Sequence, residues 1–130
     1  MTAIACAQRG RAAARQRSSQ PHCGASAFAF TDEFYQAKDY SRDKLLVLLR
    51  LDVSKMPPNS DVHRTGGDFP LVWAKMYGKG RVFYSALGHA ASTWDDRDVQ
   101  QMYFEAVKWS LGMTEADVTP RTFSAVTGSR

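Results

Sequence analysis

Apolar residues fall in a few well-separated runs along this chain, and their spacing predicts a small set of elements. Leu45-Leu46-Val47-Leu48-Leu49-Arg50-Leu51 is a nearly unbroken apolar stretch bounded by charge. Its shortness suits a strand. Its lack of alternation suits a strand buried on both faces, as in a parallel sheet covered by helices, although period alone leaves a buried helix open. A polar loop follows from Asp52 to Asp68, with Pro57-Pro58, Asn59-Ser60 and Gly66-Gly67. Two extended runs come next, Phe69 to Tyr77 and Arg81 to Leu87. Gly78-Lys79-Gly80 joins them, which predicts a hairpin. Asp95, Asp96 and Asp98 then crowd a helix start, where free N–H groups favour acids. Val99, Met102, Tyr103, Ala106 and Ser110 recur at helical spacing, and Gly112 is a natural stop.

The flanks lack such patterning. Residues 1–27 interleave Ala12-Ala13-Ala14 with arginines, and Pro21 and Gly24 interrupt any helix. With few bulky apolar side chains, this segment is expected to be a basic, disordered or loosely helical tail. Residues 113–130 are polar and irregular, with Pro120 and Gly128, and only Phe123 offers an anchor. The folded part is therefore expected over 28–112. Its order of strand, hairpin and helix predicts an α/β layer architecture. So few elements cannot cover both faces of a parallel sheet, so the body reads as part of a larger domain.

Composition narrows the classes. At 130 residues, with 44% hydrophobic and 23% charged positions, the chain fits one soluble globular domain. No run approaches the roughly 20 apolar residues of a membrane span. The net charge of +4 is local: Arg9, Arg11, Arg15 and Arg17 precede the first acid, Asp32, and the other 13 bases match 13 acids. A basic arm can bind phosphate or anionic lipid by charge alone, but no recognition motif accompanies it, so neither nucleic acid nor a membrane is an expected partner. The acid-free N-terminus has no signal-peptide pattern and is loosely similar to a transit peptide. The two cysteines, Cys6 and Cys23, form neither a disulfide framework nor a zinc-ligand cluster, so no metal site and a reducing, cytoplasmic setting are expected.

Candidate chemistry centres on Gly88-His89. The pair falls where the second hairpin strand ends, and ligands gather at the carboxyl ends of strands in open α/β sheets. An imidazole there can exchange protons near neutral pH. Gly88 lets the backbone turn and lets a ligand come close. Trp94 can wall a pocket or stack on a sugar ring, although such a residue more often packs a loop onto the core. Asp32 and Glu33 are adjacent carboxylates; in a strand they would point to opposite faces, so at most one, with Asp32 the weaker catalytic candidate beside His89, would face a site. His63-Arg64 lies in the loop and reads as surface. Gly78-Lys79-Gly80 lacks P-loop spacing, no Gly-x-Ser-x-Gly elbow occurs, and His22-Cys23-Gly24 follows no strand-like run.

Several segments together resemble one family. They are Thr31-Asp32-Glu33-Phe34-Tyr35, Val47 to Asp52, Gly67 to Trp73, the specific stretch Tyr77 to His89, and Trp94 before a helix ending Lys108-Trp109. In this order they resemble the C-terminal half of a ThuA-like (trehalose utilisation) domain over about residues 28–112. The resemblance implies a partial flavodoxin-like α/β domain, similar to class I glutamine amidotransferases, with a β-hairpin and a C-terminal helix. It also implies a link to carbohydrate utilisation, chiefly in bacteria, without the amidotransferase cysteine. His89 matches the histidine at the end of a late strand, Trp94 and Gly88 would line the substrate, and a small-molecule carbohydrate is the implied partner. The resemblance leaves the cofactor unknown.

Family members are longer, and their early strands and Gly-rich turn are not visible in residues 1–27. A truncated form with an incomplete site, and an exposed sheet edge open to homo-oligomer formation, are therefore expected. Two rivals differ in kind. A noncatalytic carbohydrate-binding or scaffold module predicts sugar binding that survives His89→Ala. A nucleic-acid binder predicts salt-sensitive binding that disappears when residues 1–27 are deleted.

Overall fold

The computed structural model describes residues 2–6, 28–52, 63 and 66–121. Five strands and one main helix make up its regular structure: β1 (Thr2–Cys6), β2 (Phe28–Phe30), β3 (Leu46–Leu51), β4 (Pro70–Tyr77), β5 (Gly80–Ser85) and α1 (Arg97–Ser110). Short 3-10 turns occupy Arg42–Lys44 and Ala91–Asp95. The strands form one sheet in the order β2-β1-β3-β4-β5, and every neighbouring pair is antiparallel.

The hairpin forms as its sequence predicts. β4 and β5 pair from Val72↔Ser85 to Tyr77↔Gly80, around a turn in which Gly78 takes φ +59. A side chain there would be strained, which is why the glycine belongs. The helix also forms as predicted. Asp96 caps it by accepting from the Asp98 and Val99 amides at 2.9 and 3.1 Å. Val99, Met102, Ala106 and Trp109 are buried along one face. At the other end the Gly112 amide donates to Trp109 O and the Met113 amide to Lys108 O, the paired bonds of a Schellman motif, with Gly112 at φ +74.

Two expectations are corrected. The Leu45–Leu51 run does not enter a parallel sheet among the described residues: β3 pairs antiparallel with β1 and β4. The described strands and helix make a mixed α/β arrangement on an antiparallel sheet. The run lacks alternation for another reason. β3 is the central strand, with an irregular register near Val47 and Leu49. Leu49 and Leu51 join the core with Phe69, Leu71, Val99 and Met102. Arg50 instead reaches a polar cluster, where buried Asp68 accepts from Tyr40 Oη at 3.2 Å and pairs with Arg42 at 2.8 Å and Arg50 at 3.8 Å. Burial, and secondarily the Arg42 charge, hold Arg50 below its ordinary value.

The second correction concerns the N-terminus. Thr2–Cys6, assigned from sequence to the tail, is a strand between β2 and β3, with Thr2↔Phe30 and Ile4↔Leu51 in register. Two of its five residues are alanine, which has low strand propensity, so its pattern is weak until neighbours supply the pairing. Residues 7–27 of the expected tail, and Phe123, lie outside the described residues.

Candidate functional site

β5 ends at Ser85, and the chain runs through Ala86, Leu87 and Gly88 to His89 before the turn at Ala91–Asp95. Asp32, just beyond β2, holds this loop. Its Oδ2 accepts from the Gly88 amide and the Thr93 hydroxyl, both at 2.8 Å. Its Oδ1 accepts from the amides of Ala90 and Glu33, both at 2.9 Å. Thr93 is 1% exposed, so that anchor is deep. Burial pushes the Asp32 carboxyl up, but the hydrogen bonds from Gly88, Ala90, Thr93 and Glu33 outweigh it and hold the group below its usual value. With its lone pairs committed to four donors, Asp32 stays ionised and positions the loop. This arrangement does not suit it to the acid–base work for which it was a candidate.

The neighbouring carboxylate meets the imidazole. Glu33 Oε2 lies 3.1 Å from His89 Nδ1, and the two side chains are 50% and 59% exposed. Nδ1 is the imidazole nitrogen that faces the Glu33 carboxylate. The strand argument that separated Asp32 from Glu33 fails here because β2 stops at Phe30 and residues 31–37 are irregular. Both carboxylates therefore reach the 88–90 loop. The Glu33 charge first, then burial and a hydrogen bond to Glu33, push the Tyr35 hydroxyl above its ordinary value, with Tyr84 and Asp32 adding to the effect.

Gly88 and Trp94 form a packed unit. Gly88 has φ +124, and a Cβ there would sit 2.7 Å from Trp94 Cζ2. The close approach that glycine permits is thus made by the Trp94 indole, whereas the sequence reading reserved it for a ligand. Trp94 Nε1 donates to Gly88 O at 3.1 Å, and its ring stacks on Tyr103 at 5.1 Å between centroids. Tyr103 Oη in turn donates to Leu87 O at 2.7 Å. Trp94 still leaves 48% of its surface exposed beside the loop, so it serves both as packing and as wall.

The structure thus brings Asp32, Gly88, His89 and Trp94 to one rim and adds Glu33. The signal for Glu33 was its adjacency to Asp32. The His63 amide donates to Gln36 Oε1 at 2.9 Å, and Arg64 and His22-Cys23 fall outside the described residues. Among the described residues, no group of three His, Cys, Asp or Glu side chains is placed to hold a metal ion. No helix of the described residues is long and apolar enough to cross a membrane.

Fold and rim together define a mixed α/β protein with an imidazole–carboxylate pair at a strand end. The chain belongs to the ThuA family, described as trehalose utilisation, whose model matches residues 7–110. That match begins ahead of Phe28, where the resemblance read from sequence starts. No curated protein and no solved structure matches the chain.

Proposed function

We propose that this chain serves trehalose-type sugar utilisation through the rim after β5, with a cytoplasmic setting. His89 is the polar group that donates or accepts a proton or hydrogen bond at the sugar. Glu33 orients it, Asp32 fixes the loop that carries it, and Trp94 walls one side. The observation that carries this reading is the Glu33–His89 contact at 3.1 Å on a loop fastened by Asp32. The family match supplies the sugar class. A contact this exposed contributes only about 0–1 kcal/mol to stability.

Calorimetric titration of the full chain with trehalose, followed by analysis of the sugar products, tests the proposal. Saturable binding that His89→Ala weakens supports it. Unchanged binding by His89→Ala removes the histidine from the site and favours a scaffold role. Release of glucose by the native chain but not by His89→Ala would make His89 catalytic.

A further inference from the structure

The loop that carries His89 is held by two kinds of partner. Asp32 takes its amides, at Gly88 and Ala90. Two aromatic residues take its carbonyls: Trp94 Nε1 donates to Gly88 O at 3.1 Å, and Tyr103 Oη donates to Leu87 O at 2.7 Å. These bonds fall on residues 87, 88 and 90 and pass over His89, whose imidazole meets Glu33. Tyr103 is itself fixed by the helix. It is half-buried on α1, packs against the core and meets Phe83 of β5 edge-on at 6.2 Å. Its ring lies against the Trp94 indole, with centroids 5.1 Å apart and planes inclined by 28°. Gln100 Nε2 holds the Trp94 carbonyl at 2.6 Å, and the Cζ2 edge of the indole packs on Gly88. Tyr103 therefore covers one indole face, while 48% of Trp94 stays open beside the residue that precedes His89.

We propose that Tyr103 is a positioning residue for sugar recognition: it sets the plane of the Trp94 indole and the Leu87–Gly88 carbonyls, so that the outer indole face stacks on one uncharged pyranose ring next to His89. This rests on the sugar reading above and adds the residue that prepares the stacking surface. A pyranose presents an apolar face of C–H groups, which an aromatic face matches. A ring already held in plane loses less freedom when the sugar arrives than one that must be ordered by it. The contacts of Tyr103 divide accordingly. Its meeting with Phe83 joins helix to sheet, whereas the stack on Trp94 and the bond to Leu87 O both act on the loop. Trp94 and His89 share that loop through Gly88, so the platform and the imidazole are fixed by one set of bonds.

Fluorine NMR on the full chain labelled with fluorotryptophan tests this, with Trp94→Phe assigning the Trp94 resonance. Trehalose and methyl α-glucopyranoside should shift that resonance saturably, and open-chain sorbitol should not. Tyr103→Leu should weaken trehalose binding by about tenfold, and Tyr103→Phe, which keeps the stack, should hold it within about threefold. A tyrosine that only joined helix to sheet would lower the urea midpoint of Tyr103→Leu and leave the trehalose affinity of the folded variant unchanged. Should Tyr103→Leu lose its native circular dichroism, the native chain decides: trehalose binding that leaves the Trp94 resonance unmoved overturns the inference. If Tyr103→Leu folds and binds as the native chain does while His89→Ala does not, the positioning role falls and the rim reading stands. Failure of the native chain to bind either sugar brings down both.

Discussion

Asp32 and Gly88 show how single residues decide the shape of the rim. Asp32 ties β2's exit to the loop after β5 through Gly88, Ala90 and Thr93. Asp32→Ala should therefore cost about 2–3 kcal/mol, because charge-assisted bonds are lost and donors are left unpaired. Urea denaturation, read as a lowered midpoint, checks it. The same bonds hold the folded carboxyl below its ordinary carboxylate value. Protonation then favours the unfolded chain, so the contribution is complete well above that value and is lost as pH falls through the lower folded value. Asp32→Asn should flatten this acid limb of the stability curve, and a native limb no steeper than the variant's would contradict the assignment. Gly88→Ala faces both a positive φ and the Trp94 indole at 2.7 Å. A loss of about 2 kcal/mol or more, with a shift in tryptophan emission, is expected.

At the scale of elements, Arg81 fastens the end of α1 to the hairpin. Its guanidinium donates to Trp109 O at 3.0 Å, Thr114 O at 2.7 Å and Glu115 Oε1 at 2.6 Å, and it lies 5.7 Å from the Trp109 ring. A cation here also meets the negative end of the helix dipole. Arg81→Ala should lower stability by about 1–2 kcal/mol, and Arg81→Lys should recover little of it, because one ammonium cannot reproduce the planar fork. Hydrogen exchange at Gly112 and Met113, faster in both variants, is the measurement. These elements were also the ones legible in sequence. The β4–β5 hairpin and α1 are specified locally, by glycine at a positive φ and by an acid at the cap with apolar residues at helical spacing. β1 was not legible, because Thr2-Ala3-Ile4-Ala5-Cys6 acquires strand character only from pairing with β2 and β3. The direction of β3 was hidden for a related reason: burial from a central position and burial between helix layers leave the same apolar run.

Across the whole molecule, the rim gathers residues far apart in the chain. Asp32 and Glu33 leave β2, and His89 and Trp94 follow β5; the Gly88, Ala90 and Thr93 groups that Asp32 binds lie 56 to 61 positions after it. Sequence reading located His89, Gly88 and Trp94 because a strand end and a turn-forming glycine are local signals. It divided Asp32 from Glu33 because it assumed a strand where the chain is irregular. Their roles follow from tertiary closure: one carboxylate is consumed by the loop, and the other remains to face the imidazole. The most direct measurement is an amide and imidazole NMR titration of the full chain with trehalose. Saturable shifts confined to residues 32–33 and 88–94, and abolished by His89→Ala, are predicted. Shifts that avoid this rim, or persist unchanged in His89→Ala, would contradict the account.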